Sequence, residues 1–492
     1  MNTTTTTNPR ACIIGAGSSG IATAKVMHER GIEFDSFELS DRVGGNWVFG
    51  NNNGLSASYR SLHINTSRER MEFSDFPMPD HLPDFARHDQ IAAYFDAYVD
   101  HFAFRDRISF NTGVEHVERR HDGSFKVRLS TGETREYDAV VVANGHHWDP
   151  RWPEPAFPGA DTFAGEQMHS HSYTDESQLE GKRVVVLGMG NSAMDIAVDA
   201  SYHAKETYLA ARRGAHIVPK YIFGRPFDQP AGPGRIPAWL RWPIARAMIK
   251  ATTGPMTRYG LQGPDHKFAQ AHPTISSRIL DRLAHGAVTP KPNIAKLDGH
   301  HVHFTDGTTV EADLVIYCTG YNITFPFFDK AFFAAADNEL DLYKHMVDPG
   351  IPGLYFVGLI QPLGAIMPIA ERQSLLIADH LTGTYTLPSQ DAMRRDIDRK
   401  HNKMRKRYVA SKRHTIQADF DDYMRELHHE RRAGARRAPR RQTTRIASPT
   451  PPAQPIRDLS ESGWNAAAST QLRRHRTKLE RVARIVRPTS SQ

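Results

Sequence analysis

The sequence predicts an α/β protein of two doubly wound units, the second inserted into the first. Three observations carry this prediction. Two glycine-rich turns lie about 170 residues apart, each follows an apolar run and opens a helical pattern, and two further apolar runs close on matching tripeptides, Ala143-Asn144-Gly145 and Cys318-Thr319-Gly320. Short, continuous apolar runs fit parallel strands buried on both faces.

The first turn follows Ala11-Cys12-Ile13-Ile14 and reads Gly15-Ala16-Gly17-Ser18-Ser19-Gly20, with the helical stretch IATAKVMHERG behind it. This is the dinucleotide-binding fingerprint in its required strand–turn–helix context, so the unit reads as Rossmann-like. Gly15 permits the tight turn, Gly17 lets a pyrophosphate approach the backbone, and Gly20 lets helix and strand pack closely. The phosphates then meet free N–H groups at a helix N-terminus. A second apolar strand, Phe34 to Leu39, carries Glu38 eighteen residues after Gly20, where an acid accepts hydrogen bonds from ribose hydroxyls. The competing reading is an empty doubly wound fold whose glycines serve packing alone.

The second turn follows Val184-Val185-Val186-Leu187 and reads Gly188-Met189-Gly190-Asn191-Ser192-Ala193, with a helix from Met194. Alanine in the third glycine position still allows close helix packing. The next strand, Thr207 to Ala211, leads not to an acid but to Arg212-Arg213, nineteen residues after Ala193. Arginine forms forked hydrogen bonds to a 2′-phosphate that an acid would repel, so this unit reads as selective for NADPH. Two solvated arginines at a strand end are the alternative.

Residues 10–165 make the first segment of the first unit. Within it, HVERRHDGSFKVRLSTGETREY reads as strands joined by turns at Asp122-Gly123 and Thr131-Gly132. A buried strand, Ala139 to Val142, follows, and Pro150, Pro153, Pro155 and Pro158 mark a stiff linker. Residues 166–312 form the inserted unit, and the chain returns through Asp313 to Tyr321, so that 313–430 complete the first unit. Tyr221 to Trp242 and Gly254 to Pro264 are rich in Pro, Gly and aromatics without a period; these long connections are where a substrate entrance or lid is expected.

Further residues fall into a pattern. Phe163, Gly165, His169 and Tyr173 stand in the spacing F-x-G-x-x-x-H-x-x-x-[FY], Gly44-Gly45-Asn46-Trp47 follows Glu38, Asn65-Thr66-Ser67 precedes SDFPMP, and LYFVGLIQPLGAIMPIAE runs from Leu354 to Glu371. From about Arg10 to Leu427 the chain resembles the flavin-containing monooxygenase family in its soluble, bacterial type. The related Baeyer–Villiger monooxygenases share the insert but characteristically end it on Trp followed by Pro or Asp; this chain has Tyr173-Thr174.

The resemblance implies FAD in the first unit and NADPH in the second. NADPH gives a hydride to FAD, reduced flavin reacts with O2 to a flavin hydroperoxide, and one oxygen atom passes to a soft nitrogen or sulfur nucleophile of a small organic substrate. It places Asn65 over the flavin as the catalytic side chain, an uncharged amide able to hold the oxygenated intermediate and the nicotinamide carboxamide. Asn46 and Thr66 belong to the FAD site, Trp47 beside the isoalloxazine or the adenosine, Gln361 to Gly364 on the flavin's other side, and Asp195 closes the second fingerprint's match. Alternatives stay open: an Asx-turn role for Asn65, and a purely structural insert in which Phe163 and Tyr173 anchor, Gly165 turns and His169 latches the units. A Baeyer–Villiger or N-hydroxylating monooxygenase, or a non-catalytic flavoprotein sensor or scaffold, are the other functions.

Composition narrows the classes. A chain of 492 residues suggests two or three domains. Cys12 and Cys318, the two cysteines, are each expected in a buried strand and cannot form the nearby pair of a flavin disulfide reductase. The 26 histidines are scattered without a carboxylate or cysteine framework, so no metal site is expected. No stretch approaches the ~18 apolar residues of a membrane helix, and MNTTTTTNPR lacks a signal peptide's apolar core. No integral membrane insertion, a cytoplasmic location and a homodimer are expected. The net charge of +7 hides an imbalance: residues 431–492 hold 15 Lys or Arg against 3 Asp or Glu. That segment reads as a basic, disordered tail, with a helix around Leu472, Leu479, Val482 and Val486, either solvated or touching nucleic acid or an anionic surface.

Overall fold

The computed structural model describes residues 9–229, 238–268, 270–271, 273–407 and 415–439. The apolar runs become the central strands of two five-stranded parallel sheets. In the first, β1 (Arg10–Ile14) leads into α1 (Ser18–Glu29) and β2 (Glu33–Phe37), with β3 (Ile108–Ser109) outside β2. An antiparallel meander of β4 (Val114–Arg119), β5 (Phe125–Leu129) and β6 (Thr134–Tyr137) then delivers β7 (Ala139–Val142) to the other side of β1. The late strand Leu354–Phe356 pairs with β7 and completes the sheet.

The second sheet repeats this plan. Arg183–Leu187 lies at its centre, with Glu206–Ala210 and Thr289–Lys291 on one side and Leu314–Tyr317 and Glu166–His169 on the other. Its own meander, Ile294–Asp298, His301–Phe304 and Thr309–Glu311, precedes Leu314–Tyr317 as the first meander precedes β7. The helix Met367–Leu381 then packs on α1, with Thr23 Oγ1 and Ser374 Oγ 2.9 Å apart and Arg30 paired with Asp379 at 3.0 Å. Ile21, Met27 and Ile369 are wholly buried, each contributing roughly 1.5–3 kcal/mol of transfer free energy.

Four expectations are corrected. The segment from Asp313, expected to begin the return to the first unit, first places Leu314–Tyr317 in the second sheet, paired with Val184–Leu187. A four-residue apolar run is equally suited to either buried sheet, so periodicity alone does not assign it. Cys318 stands one residue past that strand and is only partly buried. The connection expected over Tyr221 to Trp242 ends inside a helix, Ala238–Thr253, whose Pro243 had masked the helical spacing. The tail expected from residue 431 does not start there: the helix Phe420–Arg437 continues across that point. Arg431 Nε donates to Asp379 at 2.5 Å, Gly434 packs on the Tyr385 ring, and Arg437 Nε donates to the Thr386 carbonyl at 2.9 Å. The remaining tail residues, with the basic helix expected near Leu472, lie outside the described residues.

Candidate active site

The first turn opens into a cavity of about 1520 Å³. Gly15 has φ +99°, and a Cβ there would stand 2.8 Å from the Ala143 carbonyl at the end of β7, so only glycine allows the turn to rest on that strand. α1 starts at Ser18 with no side-chain cap, so its first N–H groups are available to an anion. Gly15, Gly17, Ser18 and Ser19 line the cavity. Ala16 and Gly20 do not; both are buried, with Gly20 pressed on Gly15. Glu38 is buried at the cavity wall, its Oε2 accepting the Ala16 N–H at 2.7 Å and its Oε1 the Ser40 N–H at 2.8 Å. The carboxylate thus locks the turn to the loop after β2 and keeps a lone pair on each oxygen.

Ala16 also accepts the Gly44 N–H at 3.0 Å, bringing the short helical turn Gly45–Trp47 against Gly17. Asn46 and Trp47 line the cavity there, although Asn46 Oδ1 is engaged by the Ala57 N–H at 2.8 Å. Gln361 lines it from the strand Gln361–Leu363, which pairs with Gln417–Asp419.

Asn65 and Thr66 border the same cavity. An Asx-turn would require the Ser67 N–H to reach back to the Asn65 side chain, but that donor is given to Asp228 Oδ2 at 2.7 Å. The adjoining Ile64 carbonyl accepts Lys220 Nζ at 3.0 Å. Asp228 comes from the segment Tyr221 to Trp242, expected to hold an entrance or lid, and Lys220 stands one residue before it. Its hairpin, Tyr221–Ile222 with Arg225–Pro226, and the helix face of Ile244, Met248 and Ile249 line the cavity.

The second turn repeats the backbone of the first. Gly188 has φ +149°, and a Cβ would lie 2.7 Å from the Cys318 carbonyl, as Gly15 stands to Ala143. Gly190 precedes the helix Asn191–His203. Here, however, the Thr274 hydroxyl donates to the Met189 carbonyl, and Asn191 Oδ1 accepts the Ile275 N–H at 2.9 Å, so the strand Thr274–Ile275 crosses this turn. Of this fingerprint only Asn191 reaches the cavity; Gly188, Gly190 and Ser192 are partly exposed and Ala193 is buried. Asp195 turns away from the cavity to accept the Tyr59 hydroxyl at 2.6 Å, and burial pushes its carboxyl up to about 6. Arg212 is exposed, while Arg213 Nε donates to Asp265 at 2.6 Å. Arg151, in the proline-marked linker and without a motif of its own, donates to the Thr319 carbonyl at 2.7 Å, and burial, then the nearby Arg212 charge, lowers its pKa.

The insert braces the second sheet. Phe163 is buried with its ring over Gly165, and Tyr173 is buried with its hydroxyl on Asp199 at 2.8 Å and its ring 5.7 Å from Tyr59. His169 ends the strand Glu166–His169, 5.3 Å from the Tyr321 ring, and burial lowers its pKa to about 4. It is a neutral ring near pH 7, unsuited to accept a proton there. Among the described residues no group of three or more His, Cys, Asp or Glu side chains can hold a metal, and no helix is long and apolar enough to cross a membrane.

The family model described as flavin-binding monooxygenase-like matches residues 8–436. Flavin-containing monooxygenase 5 of Oryctolagus cuniculus is 37% identical over 437 residues, 85% of this chain and 82% of that protein. Dimethylaniline monooxygenase [N-oxide-forming] 2 of the same species is 33% identical over 438 residues, with the same coverages. Among solved structures, S-allyl-L-cysteine S-oxygenase from Allium sativum superposes with a TM-score of 0.65 at 24% identity, over 95% of this chain and 99% of that one. Open cyclohexanone monooxygenase gives 0.67 at 18% identity, over 87% and 98%; both likenesses show the fold. With two Rossmann-type units meeting at one cavity, the chain belongs to the flavin-binding monooxygenase-like family and is an oxidoreductase that uses FAD and NADPH.

Proposed function

We propose that the protein transfers one oxygen atom of O2 to a nitrogen or sulfur atom of a small organic substrate. The observation that carries this reading is the one cavity running from Gly17, Ser18 and Ser19 past Asn65 to Asn191. Its volume of about 1520 Å³ exceeds the roughly 300–1,000 Å³ of a site for one drug-sized ligand, which suits a cofactor together with a substrate. FAD, when bound, supplies the acceptor for the NADPH hydride and the means of activating O2.

The chain's residues hold and shield that chemistry. Gly17, Ser18 and Ser19 offer backbone N–H groups to the FAD pyrophosphate, Gly15, whose N–H is donated to the Phe37 carbonyl, and Gly17 leave it space, and the remaining lone pairs of Glu38 accept ribose hydroxyls. Asn46, Trp47, Thr66 and Gln361 border the flavin. Asn65 presents an amide that holds without donating an acidic proton. Gly188, Gly190, Asn191, Ser192 and Ala193 receive the NADPH pyrophosphate, and Arg212 reads its 2′-phosphate with Arg213 and Arg151 beside it. Ala16, Gly20 and Asp195 act from behind, by packing and bracing. Phe163, Gly165, His169 and Tyr173 fasten the two units. In this reading the FAD domain is residues 10–165 with the chain after Gly320, and the NADPH domain is 166–320, the expected boundary at 312 being moved because Leu314–Tyr317 joins the second sheet.

Sulfur and nitrogen oxygenation are supported by the relatives' names. Incubation with NADPH, O2, a thioether, a tertiary amine and a cyclic ketone tests the reading. A sulfoxide or N-oxide is expected; an ester from the ketone alone would replace it with the Baeyer–Villiger reaction. The finer parts of the proposal are the soluble, bacterial type, a cytoplasmic location, a homodimer, and contact of the basic tail with nucleic acid or an anionic surface. The last rests on 15 Lys or Arg against 3 Asp or Glu in residues 431–492.

A further inference from the structure

The loop that carries Asn65 is held from the opposite half of the molecule. Ser67 is the N-cap of the short helix Arg68–Met71, and its own side chain makes no capping bond. In a capping box, a Glu or Gln three residues on would take the N-cap N–H; here that position is Arg70, which has no acceptor. Asp228, 161 residues away, supplies the missing carboxylate, its Oδ2 accepting the Ser67 N–H at 2.7 Å. Lys220 holds the other end through the Ile64 carbonyl at 3.0 Å. Two further bonds seat the same segment: Gln229 Nε2 on Glu69 at 3.0 Å and Tyr221 hydroxyl on Asp84 at 2.7 Å. Thr66 and Ser67 are buried, so the triplet has no water to fall back on, whereas Asn65 is only partly buried and lines the cavity.

We infer that Asp228 is a positioning residue for oxygen transfer: by capping Ser67 it fixes the Asn65 amide at the cavity wall. The inference rests on the reading of Asn65 above. It makes the orientation of a side chain in the FAD unit depend on how the segment 220–229 of the NADPH unit is seated. Removal of the Asp228 carboxylate leaves a buried N–H unpaired, and the triplet relaxes to satisfy it. Coupling should suffer, with FAD binding and hydride delivery preserved, because neither fingerprint touches Asp228.

The test compares Asp228→Ala, Asp228→Asn and Asn65→Asp, each purified with its flavin. Three quantities are read: FAD per chain, the anaerobic rate of flavin reduction by NADPH, and product formed per NADPH consumed with a thioether. Asp228→Ala should keep the first two within about twofold and lose at least fivefold in product per NADPH, the electrons appearing as hydrogen peroxide. Asp228→Asn keeps an acceptor oxygen and should recover most of the coupling. The proposal is overturned if Asp228→Ala stays coupled, if the flavin reduction rate falls in parallel with coupling, or if Asp228→Asn is as impaired as Asp228→Ala. A fully coupled Asn65→Asp beside an uncoupled Asp228→Ala would instead overturn the role given to Asn65.

Discussion

The two glycine-rich turns are alike in backbone and unlike in surroundings. Gly15 rests on the Ala143 carbonyl and Gly188 on the Cys318 carbonyl, at the ends of corresponding strands. Yet the first turn faces a large cavity along Gly15, Gly17, Ser18 and Ser19, while the second is crossed by Thr274–Ile275 and reaches that cavity only through Asn191. The lesson is one of division of labour within a repeated fold. In the proposed reading the first turn encloses FAD and the second presents the nicotinamide from the side. The acid Glu38 is buried and tied to backbone on both oxygens, whereas Arg212 is exposed. In the proposed reading, FAD therefore meets a fixed acid and NADPH an accessible charge.

The sharpest way to break this comparison is at Gly17. A Cβ there meets only the Gly45 Cα at 3.7 Å, an ordinary contact, so the protein itself tolerates alanine. Gly17→Val should give folded but colourless protein, its melting temperature matching flavin-stripped parent; stoichiometric FAD in the variant would remove the first turn from the site. Next in size is Asn65→Asp, expected to bind FAD and accept electrons from NADPH while most of them leave as hydrogen peroxide. Product in full proportion to NADPH consumed would return Asn65 to a structural residue.

The second turn is tested by Arg212→Ala combined with Arg213→Ala. Loss of a charge-assisted phosphate contact costs about 1.5–3 kcal/mol, roughly a ten- to hundredfold rise in KM for NADPH with NADH use little changed. Equal effects on both nucleotides would move the 2′-phosphate site elsewhere, Arg151 being the first residue to examine. Lys220, committed to the Ile64 carbonyl, is a poor substitute.

The smallest effect concerns the brace between the halves. His169 is buried, its pKa lowered to about 4 from an ordinary 6.5 by loss of hydration. The unfolded chain therefore binds a proton that the folded one refuses between those values, and stability falls as pH drops from about 6.5 towards 4. Replacement by the uncharged His169→Gln should remove on the order of 1–3 kcal/mol of that acid sensitivity, seen as a smaller drop in melting temperature between pH 7 and pH 5. Identical pH profiles would contradict the burial argument.

Much of this was legible in the chain. Apolar runs and glycine spacing located the centre of both sheets, and the first three-stranded meander follows the turn residues Asp122-Gly123 and Thr131-Gly132. What escaped was set by tertiary pairing. Leu314–Tyr317 carries no mark of the sheet it joins. Asp195 sits beside the second fingerprint in sequence, but the helix turns it towards Tyr59. Asp228 and Arg151 lie in segments without motif and gain importance only from residues 161 and 168 positions away, Ser67 and Thr319. Arg431 and Gly434 read as tail because local composition does not show Asp379 and Tyr385 waiting for them.

The central claim is that the first turn holds FAD and the second delivers NADPH to it. Its most direct test is anaerobic mixing of the purified yellow protein with NADPH or NADH at equal concentration, followed at the flavin absorbance. The account predicts complete bleaching by NADPH, at least tenfold faster than by NADH at concentrations below saturation. Flavin that stays oxidised in NADPH, or is reduced equally fast by both nucleotides, would contradict it.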